Sequence, residues 1–190
     1  DFKYQRLSQE EQKQRGILGR LVGVCADFIN PTRNGRKYDE QLWENVFKDP
    51  IMKEKIDNHI CFGELGHPED RTETNIEKIA ICLREQPVKN DKGQLVAVFD
   101  ILDTPRGKIL KSLLDYGCVM GVSSRGQGDI TNTVNGEVVD EDTYDFACFD
   151  VVTTPAVAKA RQNVVESVKK TRTFVESVRK QITEAETVGD

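Results

Sequence analysis

Few internal segments of this 190-residue chain have the capping residues and apolar spacing of a helix, and this feature most restricts its fold. One internal segment begins at Asp39, a residue type that favours the helix N-cap, and carries apolar residues at helical spacing over 42–47. A second begins at Thr104, has proline at its first helical position and ends at Gly117. Two internal helices are too few for repeated βαβ units, so a doubly wound parallel sheet is not expected.

Short apolar stretches bounded by turn residues predict six or seven strands. They are residues 17–28, 58–65, 75–88, 95–102, 118–124, 134–138 and 144–155. Hairpin loops are indicated at 89–94 and at the Asn-Gly pair 135–136. The chain is therefore predicted to be a mostly antiparallel α+β barrel or sandwich.

The two ends of the chain are predicted to differ from its middle. Residues 1–16 form a polar N-terminal segment, and 156–190 is expected to be a long amphipathic helix with a tail. The apolar stripe of that helix consists of Val164, Val168, Thr171, Val175, Val178 and Ile182. The stripe either packs on the domain's own sheet or makes a subunit contact, so a homo-oligomer is expected. Residues 1–155 are predicted to form a single domain that carries the functional site.

Composition excludes several classes of function. The net charge of −5 gives no indication of nucleic-acid binding, and no apolar run is long enough to span a membrane. The five cysteines are scattered without metal-ligand spacing, which predicts buried, reduced thiols in a cytosol-like compartment. They are Cys25, Cys61, Cys82, Cys118 and Cys148. Neither a metal nor a cofactor is expected.

The stretch GVSSRG at 121–126 has the features of a serine nucleophile site. A predicted strand holds Ser123 at its end, and the following turn offers backbone N–H groups to an oxyanion. Ser124, Arg125 and Gly126 are the candidate oxyanion or substrate-binding residues, with Arg125 adding positive charge. The stretch is not the G-x-S-x-G elbow of α/β-hydrolases, because position 125 is arginine and no helix follows.

A serine hydroxyl needs a base, and His67 is the candidate. It lies between the turn residues Gly66 and Pro68, which would hold the imidazole still. His59, the other histidine, is expected to pack or bond locally within a strand.

A third group should orient the imidazole through its other nitrogen. Asp150 is an acid inside an otherwise apolar strand, and a buried acid needs a partner. Glu64, three residues before His67, is the alternative orienting acid, and Asp100 is a third option.

Several stretches together resemble the prohead (capsid maturation) proteases of tailed bacteriophages. They occur in the family's order: GELGHP at 63–68, ILDTPRGKILKSLLDYG at 101–117, GVSSRG at 121–126 and FDVVTTPA at 149–156. NPTRNGRKY at 30–38 also resembles the family's N-x-N-x-R-x-Y segment, although Thr32 and Arg33 alter its start. The resemblance covers residues 20–156.

The resemblance implies a serine endopeptidase with a herpesvirus assemblin-like fold, a small closed β-barrel of six or seven strands ringed by helices. By position in the motifs, the family's histidine falls on His67, its nucleophile on Ser123 and its acid on Asp150. The herpesvirus relatives use a second histidine as the third member. This chain has none after His67, which favours an acid there.

The resemblance also implies a biological setting. Such proteases cut scaffold and capsid proteins, and themselves, inside the assembling prohead in the host cytoplasm. In the related group, the residues before the cleavage site are an apolar residue, any residue and then Glu. Residues 182–184 fit this pattern, so self-cleavage is predicted after Glu184.

Two other interpretations remain open. One is a catalytically silent capsid-assembly or scaffold-core protein in which the C-terminal helix acts. The other is a cysteine hydrolase using Cys118 or Cys148, although both thiols lie inside apolar strands, unlike reactive cysteines.

Overall fold

The computed structural model describes residues 3–157 and has an α+β architecture. Its helices are α1 (Gln9–Arg15), α2 (Glu40–Lys48), α3 (Pro50–Asp57) and α4 (Pro105–Tyr116), with a 3-10 turn at Ile76–Lys78. Its strands are β1 (Lys3–Arg6), β2 (Ile17–Asp27), β3 (Arg36–Lys37), β4 (Phe62–Glu64), β5 (Ile79–Leu83), β6 (Val88–Lys89), β7 (Gln94–Leu102), β8 (Gly121–Gln127), β9 (Ile130–Thr133), β10 (Gly136–Val139) and β11 (Asp145–Val152). The predicted α+β class with mostly antiparallel pairing is confirmed.

The largest sheet has six strands in the order β1-β2-β7-β5-β4, with β6 also paired to β7. All of its pairs are antiparallel. Along β7 the side chains at 95, 97, 99 and 101 are buried, whereas those at 96, 98, 100 and 102 are partly exposed. This alternation is typical of a sheet that covers the core with one face.

Helix α4 begins and ends where its sequence predicts. The Thr104 hydroxyl accepts a hydrogen bond from the Gly107 N–H at 3.0 Å, and Gly117 ends the helix with a φ of 101°. Helix α2 also begins after its predicted N-cap, Asp39, but the Asp39 side chain caps no N–H. Its carboxylate instead lies 2.9 Å from Lys37 Nζ, on the strand that precedes the helix.

An aromatic cluster joins α2 to β11 and to the large sheet. Trp43 of α2 stacks on Phe149 with ring centroids 5.7 Å apart and meets Phe146 edge-on at 5.5 Å. Phe99 of β7 meets Phe149 edge-on at 5.7 Å. Such pairs each contribute about 0.5–1.5 kcal/mol beyond the area they bury. Because Phe149 faces this core, its neighbours Cys148 and Asp150 project from the opposite face of β11.

Two smaller sheets complete the described strands. One has the order β3-β10-β9, in which β3 and β10 are parallel. The other is the antiparallel ribbon of β8 and β11, and no strand within residues 3–157 pairs with the outer edge of β8.

The closed barrel expected from the family resemblance is wrong, because the described strands form three separate sheets. The β8–β11 ribbon approaches β4, but the isolated bridge Leu65–Val151 does not extend into a ladder. At the preceding residue, the Glu64 N–H is donated to the side chain of Asp150 at 2.9 Å. A backbone donor that would continue the pairing is thus used by a carboxylate, and the sheet stays open there.

The C-terminal helix expected over 156–190, its apolar stripe and Glu184 fall outside the described residues, which end at 157. The domain boundary at 155 therefore stays a prediction. Over residues 3–157, no helix has the length and apolar character needed to cross a membrane.

Candidate active site

Ser123 and Asp150 lie directly opposite each other in the β8–β11 ribbon. Because side chains alternate along a strand, the next cross-strand pair on this side, Arg125 and Cys148, projects from the same face. Asp150, Arg125 and Cys148 are buried, while Ser123 is partly exposed. One face of the ribbon therefore carries a serine that solvent reaches beside a buried carboxylate.

The adjacent serine, Ser124, faces the other side of the ribbon, opposite Phe149. Burial raises the pKa of Tyr144 well above its usual range, and a hydrogen bond with Ser124 acts against that shift. The Ser124 side chain is thus engaged with a phenol on the face away from Asp150.

Strand β4 approaches β11 closely because position 63 is glycine. A Cβ on Gly63 would lie 1.9 Å from the Phe149 carbonyl oxygen, so no larger residue fits without moving a backbone. Beyond β4, the Gly66 N–H donates to the Val151 carbonyl at 2.8 Å, and Gly66 has a φ of 92°. A left-handed residue of this kind is readily supplied by glycine. The turn brings the following residue, His67, against the face that carries Asp150.

His67 Nδ1 lies 3.0 Å from Asp150 Oδ2. The His67 side chain is 39% exposed, whereas the Asp150 side chain has no exposed surface. The contact uses Nδ1, so Nε2 is the nitrogen left for a serine hydroxyl or a substrate. The structure thus brings Ser123, His67 and Asp150 to one location, although they are distant in the sequence.

The Asp150 carboxylate is surrounded by donors. Its Oδ1 accepts the Glu64 N–H at 2.9 Å and an Arg125 Nη2 hydrogen at 3.1 Å, and the Cys148 sulfur lies 3.4 Å away. Its Oδ2 lies 2.9 Å from Arg125 Nε and 3.0 Å from His67 Nδ1, and neither ion-pair contact has the alignment of a hydrogen bond. A fully buried carboxylate needs such partners to remain charged.

Glu64, the alternative orienting acid, directs its carboxylate away from His67. Arg71 donates to both of its oxygens at 2.7 Å, and the Asn75 N–H donates to Oε1 at 2.6 Å. Burial would raise the pKa of Glu64, but the hydrogen bonds from Arg71 and Asn75 and the charge of Arg125 hold it below its usual value. Glu64 contacts Asp150 through its backbone N–H alone.

The other sequence candidates lie elsewhere. Asp100, on β7, pairs with Arg20 at 3.0 Å and Arg84 at 3.3 Å. His59 follows α3 with a φ of 56°, and its backbone carbonyl faces the Cys82 thiol at 3.4 Å. Neither residue contributes to the group formed by Ser123, His67 and Asp150.

Arg125 is only 3% exposed, and its guanidinium points into the protein. Its Nη1 donates to the carbonyls of Thr72 and Glu73, and its Nη2 donates to Cys148 and Asp150. Burial alone would lower the pKa of Arg125, but Cys148 and Asp150 hold it above its usual value. The Arg125 side chain, which the sequence offered as an oxyanion donor, therefore faces Asp150.

Cys148 lacks the surroundings of a reactive thiol. Burial, followed by the charge of Asp150, raises the pKa of Cys148 to about 12, so the thiol is neutral near pH 7. Cys118 is partly buried and, like the other four cysteines, forms no disulfide. Within residues 3–157, no group of three or more His, Cys, Asp or Glu is arranged to hold a metal ion.

The sequence did not indicate Arg71, which holds the loop that carries His67. Besides its contacts to Glu64, Arg71 donates to the Glu73 carbonyl at 2.6 Å. The available signal was a single arginine among the acidic residues Glu69, Asp70 and Glu73, next to a predicted strand that ends in Glu64.

A surface groove of about 610 Å³ lies at the end of β8, and its lining does not include Ser123, His67 or Asp150. Its lining includes Gly126, Gly128, Tyr38, Tyr144 and Arg36. The groove has both aromatic and charged walls and opens beside the segment that follows Ser123.

The model of the prohead core protein serine protease family matches residues 11–171. The chain belongs to this family. The resemblance read from the motifs is thereby confirmed, and the match covers the strands that carry Ser123 and Asp150 and the turn that carries His67.

Two members or neighbours of the family are similar to the chain. The prohead core protein protease of Enterobacteria phage T4 is 30% identical over 122 residues, which are 64% of this chain and 55% of that protein. The match thus spans about half of the T4 protein's length. The structure of the bacteriophage T4 capsid assembly protease aligns with a TM-score of 0.63 at 21% identity, covering 80% of this chain and 94% of that chain. At this identity the structural likeness concerns the fold.

Proposed function

We propose that the chain is a serine endopeptidase in which Ser123 is the nucleophile, His67 the general base and Asp150 the acid that orients His67. The single observation that carries the proposal is the 3.0 Å contact between His67 Nδ1 and Asp150 Oδ2, beside a serine that is the cross-strand partner of Asp150. Ser124 faces the other side of the ribbon, opposite Phe149, which favours Ser123 as the nucleophile.

The proposed reaction is acyl transfer. Ser123 Oγ attacks the peptide carbonyl carbon while His67 Nε2 takes the hydroxyl proton. The tetrahedral intermediate collapses as His67 returns that proton to the leaving amine, which breaks the peptide bond. Water, deprotonated by His67, then hydrolyses the acyl-enzyme, and Ser123 recovers its proton. Asp150 supports the imidazolium throughout.

The oxyanion is proposed to bind those backbone N–H groups, among Ser124, Arg125 and Gly126, that point to the open edge of β8. Alternate N–H groups of an edge strand point away from its partner, and β8 has such an edge. The Arg125 contribution is limited to its backbone N–H, because its guanidinium contacts Asp150 and loop carbonyls.

The proposed substrates are phage scaffold and capsid proteins, cut within the assembling prohead in the host cell, and the chain itself after Glu184. Support comes from the family and from the T4 relative, a prohead core protein protease. The expected homo-oligomer and the expected absence of nucleic-acid and membrane partners remain predictions.

The test compares wild type with Ser123→Ala and Ser124→Ala, two adjacent serines on one strand. Each protein is treated with a fluorophosphonate and, separately, incubated alone, and intact masses are measured. We expect wild type and Ser124→Ala to gain the label and to release the segment after Glu184. Ser123→Ala should keep its fold and do neither, because loss of a nucleophile costs on the order of 10⁶ in turnover.

Two results would contradict the proposal. Cleavage by Ser123→Ala but not by Ser124→Ala would move the nucleophile by one residue. If folded wild type neither takes up the label nor cuts the scaffold and capsid proteins of its own phage, the chain is a silent assembly protein.

A further inference from the structure

A single buried side chain joins the three segments that carry the proposed catalytic residues. Arg125 lies on β8, two residues after Ser123, and its guanidinium contacts Asp150 of β11. The same guanidinium donates to the carbonyls of Thr72 and Glu73, in the loop that carries His67. Strand β8 with Ser123, strand β11 with Asp150 and the loop with His67 therefore all meet at the Arg125 guanidinium.

The contact with Asp150 restricts the carboxylate on both oxygens. Arg125 Nη2 donates to Oδ1 at 3.1 Å, and Nε lies 2.9 Å from Oδ2, the oxygen that faces His67. The planar guanidinium is suited to such two-point contact with a carboxylate, whereas a lysine ammonium is a single point charge. Arg125 thus restricts the orientation in which the Asp150 carboxylate meets the His67 imidazole.

The contact with the loop is reinforced by a second ion pair. Arg125 Nη1 donates to the Thr72 carbonyl at 3.2 Å and to the Glu73 carbonyl at 2.8 Å. Glu64 lies 3.5 Å from Arg125 Nη2 and is held by Arg71 of the same loop. Charges therefore alternate from Asp150 through Arg125 and Glu64 to Arg71, which ties the loop to the ribbon.

Arg125 presents no exposed donor to a substrate. Each nitrogen of the guanidinium faces a protein partner, namely Asp150, Cys148 or a loop carbonyl, and the side chain is only 3% exposed. A group that binds an oxyanion must present a donor at the surface of the site. Arg125 acts on the reaction through other residues.

We propose that Arg125 is a positioning residue, which sets the carboxylate of Asp150 against His67 and holds the His67 loop on the β8–β11 ribbon. This inference rests on the proposed serine peptidase mechanism. The inference predicts that replacing the Arg125 guanidinium lowers the rate of the chemical step. Substrate affinity should stay unchanged, because Arg125 does not touch substrate.

The test uses Arg125→Lys and Arg125→Met in the full chain, with Arg20→Lys as the matched control. Arg20 is also largely buried and also pairs with an aspartate, Asp100, at 3.0 Å, but it lies on β2. The substrate is a synthetic peptide of residues 179–188 or, if that peptide is not cut, one spanning a site that mass spectrometry identifies in the proposed substrates. The measurements are kcat, KM, the melting temperature and the proton NMR resonance of His67 Nδ1–H.

We expect wild type to show a downfield His67 Nδ1–H resonance. We expect Arg125→Lys to fold, to lose about 10²-fold in kcat at unchanged KM, and to lose that resonance. Arg125→Met should lose at least as much, and Arg20→Lys should keep kcat and the resonance. If Arg125→Met does not fold, the lysine variant carries the test.

Three results would overturn the inference. In the first, Arg125→Lys has the kcat and the His67 resonance of wild type. In the second, KM rises and kcat is kept, which would make Arg125 a substrate-binding cation. In the third, Arg125→Lys fails to fold, which would make Arg125 a part of the core. Failure of the serine mechanism is recognised separately, because Ser123→Ala would then still cleave or wild type would take up no fluorophosphonate. In either case the inference is judged on the His67 resonance alone.

Discussion

Ser123 and Asp150 are cross-strand partners, so one antiparallel ribbon holds both the proposed nucleophile and the proposed acid. His67 alone comes from outside the ribbon, in the loop after β4. That loop is docked by the Gly66 N–H on the Val151 carbonyl and by the Glu64 N–H on Asp150. Whether the site is formed therefore depends on how firmly the loop is held to the ribbon.

Asp150→Asn should lower kcat by about 10⁴-fold, because an amide in that position no longer selects the tautomer that leaves Nε2 free to accept a proton. The rate of fluorophosphonate labelling at Ser123 measures this loss without a substrate. Asp100→Asn is the control, since Asp100 is paired with arginines on the large sheet and should affect stability alone. Equal labelling rates for Asp150→Asn and wild type would exclude Asp150 from the mechanism.

Ser124→Ala should lower the free energy of unfolding by about 1 kcal/mol and leave cleavage intact. The variant removes the hydrogen bond to Tyr144, a phenol in which burial keeps the pKa high. Chemical denaturation measures the first effect and the self-processing rate measures the second. A loss of processing without a loss of stability would show that the Ser124 hydroxyl takes part in the reaction.

Gly63→Ala should lower both stability and activity, because the new Cβ would meet the Phe149 carbonyl oxygen at 1.9 Å. Overpacking of this kind costs about 1–3 kcal/mol and would push β4 away from β11. Gly19→Ala, on β2, is the control, since its nearest contact would be the ring of Tyr4 at 2.8 Å, a side chain that can turn aside. Denaturation and labelling of both variants should show activity loss for position 63 only.

Glu64→Gln should lower stability at neutral pH by about 2 kcal/mol, because Arg71 loses its charged partner. The pKa of Glu64 is held below its usual value in the folded protein, so the ionised carboxylate stabilises the fold at pH above the usual glutamate pKa. That stabilisation is lost as the pH falls through the folded-state pKa. The difference between wild type and variant should shrink at acid pH in denaturation experiments, and a pH-independent difference would contradict this account.

Local sequence was sufficient to predict much of the scaffold. Strand β2 and helix α4 have bounds close to those expected, because capping, turn residues and apolar spacing act over a few residues. The proximity of Ser123, His67 and Asp150 was suggested by motif resemblance, and chemical reasoning from residue types agreed with it.

Long-range contacts were beyond that reasoning. The sequence predicted a turn after Ser123, but β8 continues to Gln127 and so places Arg125 on the same face as Ser123. The burial of Arg125 arises from a loop at 72–73, some fifty residues earlier. The choice between Asp150 and Glu64 depended likewise on Arg71, which draws the Glu64 carboxylate away. The open sheet also depends on such a contact, because a side chain takes the place of a backbone acceptor.

The hydrogen bond from the Glu64 N–H to Asp150 has a consequence for how this protein can be switched off. The backbone hydrogen bond that the sheet lacks at Glu64 is replaced by one to the Asp150 carboxylate, which also contacts His67. A binding partner or a neighbouring subunit that separates β4 from β11 would abolish the proposed peptidase activity. It would do so without covering Ser123 and without unfolding the aromatic core.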